Sequence, residues 1–319
     1  MTDGLPGVLG AMRATTRAAI AIHENPDLDA VGAAAGMIDL FAQLGVQASL
    51  HVDEDVRLPE HDWFLPAAAV FSGPPAAGDT LFVVDSGSLP RTALTLGDWS
   101  GTIVNIDHHP DNTRFGDVNL VLPESSSASE IVCALARGLG LVPSRAAANG
   151  LYAGIAFDTG QFRHASTGPG TLRAAATLVE AGADPAAVYE AVYEGRSLGD
   201  LRVWARAMLS AQAVAGGRGL IATLTLADYE DGADSAEGVV EALRSVRGVE
   251  AAALVREQRE GSRVRVSMRS RESDVGALAR RRGGGGHQRA AGFSSDDSPE
   301  EVTRWLSSAF DDLLQTASS

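Results

Sequence analysis

The chain has 319 residues but contains no lysine and only one cysteine, Cys133. A single cysteine excludes an internal disulfide and any zinc site built from several thiolates. No apolar run is long enough to span a bilayer. The N-terminus does not place an apolar core after a basic region, so no signal peptide is expected. These absences favour a cytoplasmic protein, and the length alone suggests roughly two domains.

Positive charge is also scarce, because 26 basic residues face 41 acidic ones and give a net charge of −15 with a pI of about 4.8. This balance argues against a broad basic face for long nucleic acid. It allows a small anionic substrate, since a few cations or bound metals can dominate the field inside a cleft. Arginine suits bidentate phosphate contacts, although codon bias in a GC-rich genome explains the missing lysine more simply.

Strand and helix patterns alternate through the first half of the chain. Apolar runs predict strands, and amphipathic spacing between them predicts helices, one of which starts near Ser126 or Ser127 with Glu130 at capping-box spacing. The predicted strands are 18–22, 47–52, 80–84 and 101–106, and the other predicted helices are 29–44 and 144–157. The alternation favours an α/β domain with a doubly wound, mostly parallel sheet.

The second half of the chain has a different pattern. Residues 185–215 look helical and carry no evident chemistry. After them come predicted strands at 219–226, 249–256 and 263–268 and predicted helices near 234–246, 274–281 and 299–315. We predict a catalytic domain over residues 1–185, a helical connector over 186–215 and a smaller α+β domain over 216–319.

Acidic and histidine side chains follow the predicted strands of the first domain. Ile106-Asp107-His108-His109 closes one apolar run, and the cluster from His23 to Asp29 follows another. Asp85 ends a third run, and Asp158 lies at the end of an apolar segment before a turn. In open α/β sheets, ligands bind at the carboxyl ends of the strands. The pattern therefore predicts that these side chains share one site.

Each of these residues also has a structural interpretation. Asp27 or Asp29 would serve as a helix N-cap, and Asp85 would start a turn. For one aspartate alone the structural interpretation is preferred, but the repeated placement favours metal ligation. The predicted ligands are His23, Asp27, Asp29, Asp85, His108 and Asp158.

Oxygen and nitrogen donors without thiolate suit Mn²⁺, with Mg²⁺, Co²⁺ or Fe²⁺ as alternatives, better than a structural zinc. Two such ions about 3.5–4 Å apart can lower the pKa of a bridging water and clamp an in-line phosphoryl displacement. We therefore predict two Mn²⁺ ions.

A glycine run in the second domain has two interpretations. Gly283, Gly284, Gly285 and Gly286 form either a flexible loop or a segment whose backbone N–H groups approach a phosphate closely. His287 directly after the run, together with the strand end at Arg269-Ser270, favours the phosphate site. The spacing matches neither the dinucleotide-binding glycine pattern nor the P-loop pattern.

Taken together, these motifs resemble the DHH phosphoesterase family, and more narrowly its NrnA-like branch with a DHH-associated domain. The motifs occur in the family's order over nearly the whole chain: His23-x-x-x-Asp27-x-Asp29, Asp85, Asp107-His108-His109, Asp158-Thr159-Gly160, Arg269-Ser270 and Gly283-Gly284-Gly285-Gly286-His287. Leu28 stands where many members have Gly, and Ala33 where many have Ser. Neither residue is a ligand, so the metal assignment is unaffected.

The resemblance implies a division of roles. His23, Asp27 and Asp85 would hold one ion, while Asp29, Asp85, His108 and Asp158 would hold the other. Asp107 would orient His108, and His109 would face the substrate phosphate as a hydrogen-bond donor or acid, which makes Asp107 and His109 the catalytic pair. Terminal phosphate or nucleotide recognition would fall to Arg269, Ser270, Gly284, Gly285, Gly286 and His287.

The resemblance also implies hydrolysis of short nucleotides. The sequence leaves open whether the protein is a monomer or a homodimer. The implied substrates are cyclic di-AMP, pApA and very short RNA, with 3′-phosphoadenosine 5′-phosphate as a further candidate. Two alternatives stay open. A family II inorganic pyrophosphatase shares the first-domain motifs, and a non-catalytic cyclic-dinucleotide sensor would keep the fold without the reaction.

Overall fold

The computed structural model describes residues 3–59, 63–194, 197–229, 236, 238–258, 263–286 and 288–315. The chain divides into two compact units, Met1–Glu194 and Gly195–Ser319. The predicted connector, 186–215, spans this division, and its limits stay a prediction. In the described parts of the chain, no helix combines the length and the apolar character needed to cross a bilayer.

The first unit alternates helices with strands. Its helices are α1 (Leu5–Ala14), α2 (Leu28–Gln43), α3 (Ala128–Leu139), α4 (Arg145–Asp158), α5 (Pro169–Glu180) and α6 (Pro185–Tyr193). Its strands are β1 (Arg17–Ala21), β2 (Gln47–Val52), β3 (Val70–Ser72), β4 (Thr80–Val84), β5 (Ile103–Asp107) and β6 (Val118–Val121). The predicted strands and helices of this half are therefore present, and α1, β3, β6 and α5 are additions to them.

The six strands form one parallel sheet in the order β3-β2-β1-β4-β5-β6. The chain starts at the centre with β1, extends outward to β3, and then returns to β4 on the other side. The strand order thus reverses between β1 and β4, and such a reversal leaves a crevice at the carboxyl edge. This confirms the predicted mostly parallel sheet.

Both faces of this sheet are buried, which explains why its strands read as continuous apolar runs. One face, with Ile20 and Phe82, packs against α1 to α4. The opposite face, with Ala19 and Leu81, is covered by side chains of the segment 89–99. A Cβ on Gly32 would lie 2.2 Å from the carbonyl oxygen of Gly150, so α2 and α4 pack with their backbones in close contact.

The second unit contains a mixed sheet. Its helices are α7 (Leu198–Ser210), α8 (Val239–Ser245), α9 (Val275–Arg280) and α10 (Pro299–Gln315). Its strands are β7 (Gln212–Val214), β8 (Gly219–Leu224), β9 (Ala251–Glu257), β10 (Val264–Ser270), β11 (Gly285–Gly286) and β12 (Ala290–Ser295). The order is β11-β12-β10-β9-β8-β7, with β8 and β9 parallel and the other pairs antiparallel.

The two faces of the second sheet pack against different helices. Val266 and Phe293 belong to a core with α9 and α10. Ala222 and Leu254, on the opposite face, belong to a core with α7 and α8. This arrangement agrees with the predicted α+β architecture of the second domain.

Candidate metal centre

The predicted ligands of the first unit converge at the carboxyl edge of its sheet. His23 lies just beyond β1, Asp85 directly follows β4, and His108 directly follows β5. Asp29 lies in the first turn of α2, and Asp158 is the last residue of α4. Because parallel strands end at the same edge, residues far apart in the chain reach one place.

Two groups of possible ligand atoms share Asp85. His23 Nε2 lies 3.7 Å from Asp27 Oδ1 and 3.6 Å from Asp85 Oδ2. On the other side, His108 Nε2 lies 3.4 Å from Asp85 Oδ1 and 3.3 Å from Asp158 Oδ2. Within each of the groups His23–Asp27–Asp85 and Asp29–His108–Asp158, the candidate ligand atoms lie within 4.8 Å of one another.

Asp85 is the central carboxylate of this cluster. It is buried, and its Oδ1 has no hydrogen-bond partner among the described residues. Its φ is 57°, a left-handed conformation that aspartate and asparagine adopt more readily than most residues. Burial, with the nearby charges of Asp29 and Asp27, raises the pKa of Asp85 well above its usual range. A buried carboxylate oxygen without a donor fits a divalent cation, because the ion would supply the missing partner.

Asp29 is fully buried between α2 and α3. The N–H groups of Ala128 and Ser129, at the start of α3, donate to its Oδ2 at 2.6 Å and its Oδ1 at 2.9 Å. Burial nevertheless raises the pKa of Asp29. Gly154 of α4 makes room for this carboxylate, since a Cβ there would lie 2.7 Å from Asp29 Oδ1.

Asp27 combines the two roles that the sequence left as alternatives. Its Oδ1 accepts from the N–H groups of Asp29 and Ala30 and so caps α2. The same side chain belongs to the His23 group of possible ligands. Burial opposes ionisation of Asp27, but the hydrogen bond from His23 and its charge lower the Asp27 pKa overall.

Asp107 holds the ring of His109 rather than that of His108. Its Oδ1 accepts from His109 Nδ1 at 2.8 Å and from the backbone N–H of His108 at 2.8 Å. Its Oδ2 accepts from Asn112 Nδ2 at 2.6 Å. The resemblance implied that Asp107 orients His108, whereas in the structure it reaches that residue only through the backbone. Asn112 carried no signal in the sequence, because an asparagine in a polar loop is common.

Burial and charge also shift the pKa values around the edge of the cluster. Burial, together with the charges of Asp29 and Asp85, raises the pKa of Asp158 to about 9. Burial lowers the pKa of His23, but the bond to Asp27 and the charge of Asp85 outweigh it and raise that pKa. So many carboxylates in one buried place repel one another, and bound cations would relieve that repulsion.

A cavity of about 140 Å³ opens onto the cluster. Besides the predicted residues, Gly87 and Arg91 line it. Arg91 is exposed and lies in a short 3₁₀ turn, Leu89–Arg91, that follows Asp85. Arg91 is not among the residues predicted from the sequence. The available signal was one arginine six residues after a predicted ligand, in a chain where arginine is the only strong cation.

The predicted substrate residues of the second unit occupy different environments. Gly284, Gly285 and Gly286 line a groove of about 710 Å³ together with Arg269. Ser270 is buried, and its hydroxyl donates to the carbonyl oxygen of Ser273, so this side chain does not line the groove. His287 lies outside the described residues.

The glycines of this run serve different purposes. A Cβ on Gly284 would lie 2.2 Å from the carbonyl oxygen of Gly292, and a Cβ on Gly286 would lie 2.6 Å from that of Ala290. Both glycines therefore permit close packing against β12. A Cβ on Gly283 or on Gly285 would meet nothing within 4 Å, so these two glycines present open backbone to the groove.

The chain matches two family descriptions. Residues 17–155 match the N-terminal domain of the DHH family, and residues 216–318 match the DHHA1 domain. Together these regions contain every predicted site residue except Asp158, which lies just beyond the first match.

Individual relatives cover most of the chain. It is 34% identical over 255 residues to the bifunctional oligoribonuclease and PAP phosphatase NrnA of Thermus thermophilus, which covers 79% of this chain and 75% of the relative. The protein of the same name from Bacillus subtilis is 27% identical over 264 residues, with 81% and 83% covered.

Solved structures show the same fold at lower identity. An exopolyphosphatase-related protein from Bacteroides fragilis superimposes with a TM-score of 0.84 at 22% identity, covering 98% of this chain and 97% of that one. The exonuclease RecJ bound to manganese gives a TM-score of 0.53 at 15% identity, covering 97% and 94%.

Proposed function

The chain belongs to the DHH family and is a metal-dependent phosphoesterase, and we propose that it hydrolyses short nucleotides to mononucleotides with two Mn²⁺ ions. One observation carries this proposal: the buried Asp85 lies between the two groups of ligand atoms, 3.6 Å from His23 Nε2 and 3.4 Å from His108 Nε2, and its Oδ1 lacks any described hydrogen-bond donor. Mg²⁺, Co²⁺ and Fe²⁺ accept similar donors and are the alternatives to Mn²⁺.

The ligand assignment follows the two groups. His23, Asp27 and Asp85 would hold one ion, and Asp29, Asp85, His108 and Asp158 the other. When bound, two such ions supply Lewis acidity and lower the pKa of a water that attacks phosphorus. The amide hydrogen bonds that fix Asp29 keep this carboxylate in one orientation, which favours a preformed site over one that assembles on binding.

Two further residues would act on the substrate. His109 lines the cavity, and its hydrogen bond to Asp107 raises its pKa, which favours a protonated ring able to donate to the leaving oxygen. Arg91 lines the same cavity and offers a planar guanidinium for the non-bridging phosphate oxygens. In our proposal, this pair contacts the phosphate while the carboxylates hold the ions.

The substrate class is supported by the relatives and by the charge distribution. Two relatives carry names that specify oligoribonuclease and PAP phosphatase activity. The first unit, residues 1–194, contains 23 acidic residues and 9 arginines, which disfavours long nucleic acid near the candidate centre. The proposed substrates are very short RNA, pApA, cyclic di-AMP and 3′-phosphoadenosine 5′-phosphate.

A substrate panel with the purified full chain and Mn²⁺ tests this proposal. Each nucleotide and inorganic pyrophosphate are incubated separately, and the products are separated by chromatography. We expect mononucleotides from at least one nucleotide, with no turnover by Asp85→Asn. The surface variant Asp98→Asn is the control, since Asp98 is exposed and belongs to none of the candidate ligand groups.

Each other outcome contradicts the proposal in a different way. Pyrophosphate turnover far above that of every nucleotide would show a pyrophosphatase. Tight binding of cyclic di-AMP without product, at saturating Mn²⁺, would show a sensor. Wild-type turnover by Asp85→Asn would remove Asp85 from the mechanism.

A further inference from the structure

A buried asparagine lies in the middle of strand β5. Asn105 is fully buried between the apolar residues Val104 and Ile106. Burying an amide costs free energy unless its donors and acceptors are paired. Asn105 Nδ2 donates to Asn112 Oδ1 at 2.9 Å and to Asn119 Oδ1 at 3.2 Å. The ladder of a parallel sheet uses only backbone groups, so the side-chain amide of Asn105 acts through these two contacts.

Backbone groups at both ends of this chain of amides determine which way they point. The N–H of Arg114 can only donate, and it donates to Asn112 Oδ1 at 2.7 Å. The carbonyl oxygen of Ser86 can only accept, and Asn112 Nδ2 donates to it at 3.1 Å. At the far end, Gly116 donates its N–H to Asn119 Oδ1, and its carbonyl oxygen accepts from Asn119 Nδ2. The oxygen and nitrogen of Asn112 therefore cannot exchange places without breaking hydrogen bonds.

The nitrogen of the Asn112 amide joins two parts of the candidate metal centre. It donates to Asp107 Oδ2 at 2.6 Å, and the other oxygen of Asp107 accepts from the ring of His109. It also donates to the carbonyl oxygen of Ser86, the residue directly after Asp85. The residues that line the cavity of about 140 Å³ do not include Asn112, so its effect on a substrate would be indirect.

A backbone contact also attaches the loop of Asn112 to the segment that follows β4. The N–H of Thr113 donates to the carbonyl oxygen of Gly87 at 2.9 Å. The N–H of Asn112 donates to the carbonyl oxygen of His109 at 3.2 Å and closes a turn over residues 109–112. The loop after β5 and the loop after β4 are thus joined at two successive residues of each loop, so a displacement of Asn112 would disturb both.

We propose that Asn112 is a positioning residue that holds the Asp107–His109 pair in place relative to Asp85. Asn105 and Asn119 lock its amide in the orientation that this role requires. Metal binding and catalysis both depend on such placement, because a ligand or an acid outside its productive geometry loses most of its effect. This inference rests on the proposed function, in which Asp85 binds the ions and His109 donates to the leaving oxygen.

The kinetic test uses Asn112→Asp, which changes only the nitrogen of the amide. The side chain keeps its size and its acceptor for Arg114 and Asn105, but an ionised carboxylate cannot donate to Asp107 or Ser86. kcat and KM are measured at saturating Mn²⁺ with the best nucleotide of the substrate panel. We expect kcat to fall by about 10- to 100-fold, the range for groups that orient metal ligands. KM should stay nearly unchanged, because the side chain lies outside the cavity.

Asn149→Asp is the matched control. Asn149 is also a partly buried asparagine of the first unit, and its Oδ1 accepts from the N–H of Asp184 at 2.9 Å. It belongs to none of the candidate ligand groups, and the substitution keeps its acceptor. Its kcat and its affinity for Mn²⁺ should therefore equal those of wild type. Asn112→Ala repeats the test without adding a charge and should give losses in the same range as Asn112→Asp.

Exchanging the two side chains separates positioning from a general effect on the fold. In the double variant Asp107→Asn with Asn112→Asp, the backbone N–H of His108 keeps the amide oxygen at position 107 toward His109. The amide nitrogen can then donate to the carboxylate at position 112, which restores the bond in the opposite direction. The kcat of the double variant should therefore equal that of Asp107→Asn alone, whereas independent effects would multiply.

Metal affinity is a readout that needs no substrate. Calorimetric titration of Mn²⁺ should show about tenfold weaker binding to Asn112→Asp and Asn112→Ala, because the chain beside Asp85 loses its bond at Ser86. The exchange does not restore the bond to Ser86, so the double variant should also bind Mn²⁺ weakly. The melting temperature in EDTA checks that each variant is folded.

The outcomes distinguish which proposal fails. Wild-type kcat or wild-type Mn²⁺ affinity in Asn112→Ala overturns the positioning role, and so do losses of kcat that multiply in the double variant. The proposed function stays intact in those cases if wild type hydrolyses a nucleotide. If wild type hydrolyses none, but Asn112→Ala binds Mn²⁺ more weakly than Asn149→Asp does, the positioning of Asp85 is supported and the proposed function falls. Should Asn112→Ala fail to fold, Asn112→Asp decides by the same criteria.

Discussion

The imidazole of His109 donates a hydrogen bond of 2.8 Å from Nδ1 to Oδ1 of the buried Asp107. This bond raises the pKa of His109 above its usual value, although partial burial opposes the shift. A second bond, from Asn112, helps to keep Asp107 ionised, and the pKa of Asp107 is lowered although burial opposes it. The pair therefore presents a charged imidazole to the cavity at a pH where a free histidine is largely neutral.

Replacing Asp107 with Asn tests this pairing. The amide oxygen can still accept from Nδ1, but the negative charge is lost, so the pKa of His109 falls. If catalysis requires a protonated His109 ring, the activity of the variant should therefore begin to fall at a lower pH than that of wild type. We expect kcat at neutral pH to fall by about 10²-fold, the lower range for loss of general acid catalysis. The measurement is the pH profile of kcat for the best nucleotide substrate.

The hydrogen bond between His109 and Asp107 should also make the stability of the fold depend on pH. A histidine whose pKa is raised by folding contributes stability below its unfolded pKa of about 6.5, and this contribution is lost as the pH rises through the folded value. Asp107→Asn should thus destabilise the protein more at pH 6 than at pH 9. If Asp107→Asn lowered the free energy of unfolding equally at both pH values, the charge of His109 would contribute nothing to stability through this bond.

Asp85→Asn should stabilise the metal-free protein. The pKa of Asp85 is raised well above its unfolded value, so the ionised carboxylate opposes folding once the pH exceeds that unfolded value. Asparagine removes the charge and tolerates the φ of 57°. We expect the melting temperature in EDTA at pH 8 to rise by about 2–4 °C, as for roughly 1 kcal/mol in a protein of this size.

With Mn²⁺ added, wild type should have a higher melting temperature than Asp85→Asn. Mn²⁺ should raise the melting temperature of wild type and of Asp98→Asn but have little effect on Asp85→Asn, since ligand binding to the folded state stabilises it. A lower melting temperature for Asp85→Asn in EDTA would mean that Asp85 has a structural partner in the metal-free protein.

Much of the fold follows from the sequence because buried parallel strands read as apolar runs. For this reason the sequence predicts the strands β1, β4 and β5. It also predicts that the acidic residues after these strands lie at one edge of the sheet. β3 has only three residues and β6 only four, which is too short to distinguish from a loop. Helix α1 has apolar residues on its buried side but was not predicted from the sequence.

The finer contacts of the site depend on distant parts of the chain. The bonds from Ala128 and Ser129 to Asp29 join residues about 100 positions apart, and no local pattern specifies them. How the chain turns after β5 decides whether Asp107 contacts the ring of His108 or that of His109. The sequence alone therefore could not distinguish these two histidines. Asp158 ends a helix, not a strand, and only the packing of α4 on α2 brings it to the sheet edge.

Metal affinity should increase with pH between about 6 and 9. In the metal-free protein Asp158 has a pKa of about 9 and is largely protonated at neutral pH, and burial with the charges of Asp29 and Asp27 also raises the pKa of Asp85. Metal binding needs them ionised and therefore releases protons. Titration calorimetry of Mn²⁺ in buffers of different ionisation enthalpy should show release of about one to two protons at pH 7. Release that does not decline toward pH 9.5 would contradict the assignment of these pKa values.

Gly154→Ala should weaken metal binding although Gly154 carries no ligand. A Cβ at this position would lie 2.7 Å from Asp29 Oδ1 and 2.3 Å from Ser129 Oγ. Neither neighbour can move freely, because Asp29 is held by two backbone N–H groups at the start of α3. The displaced carboxylate would leave its position beside His108 and Asp158. We expect the affinity for Mn²⁺ to fall by about tenfold or more, the range seen when groups that orient a metal ligand are changed.

Gly10→Ala is the matched control for this substitution. Gly10 also lies inside a helix, α1, but a Cβ there meets nothing within 4 Å. Alanine is the better helix former, so Gly10→Ala should stabilise the protein by about 0.5–1 kcal/mol and leave Mn²⁺ affinity unchanged. Calorimetry and thermal unfolding of both variants separate the two effects. If Gly154→Ala bound Mn²⁺ as tightly as Gly10→Ala, the position of Asp29 against α4 would be irrelevant to the metal centre.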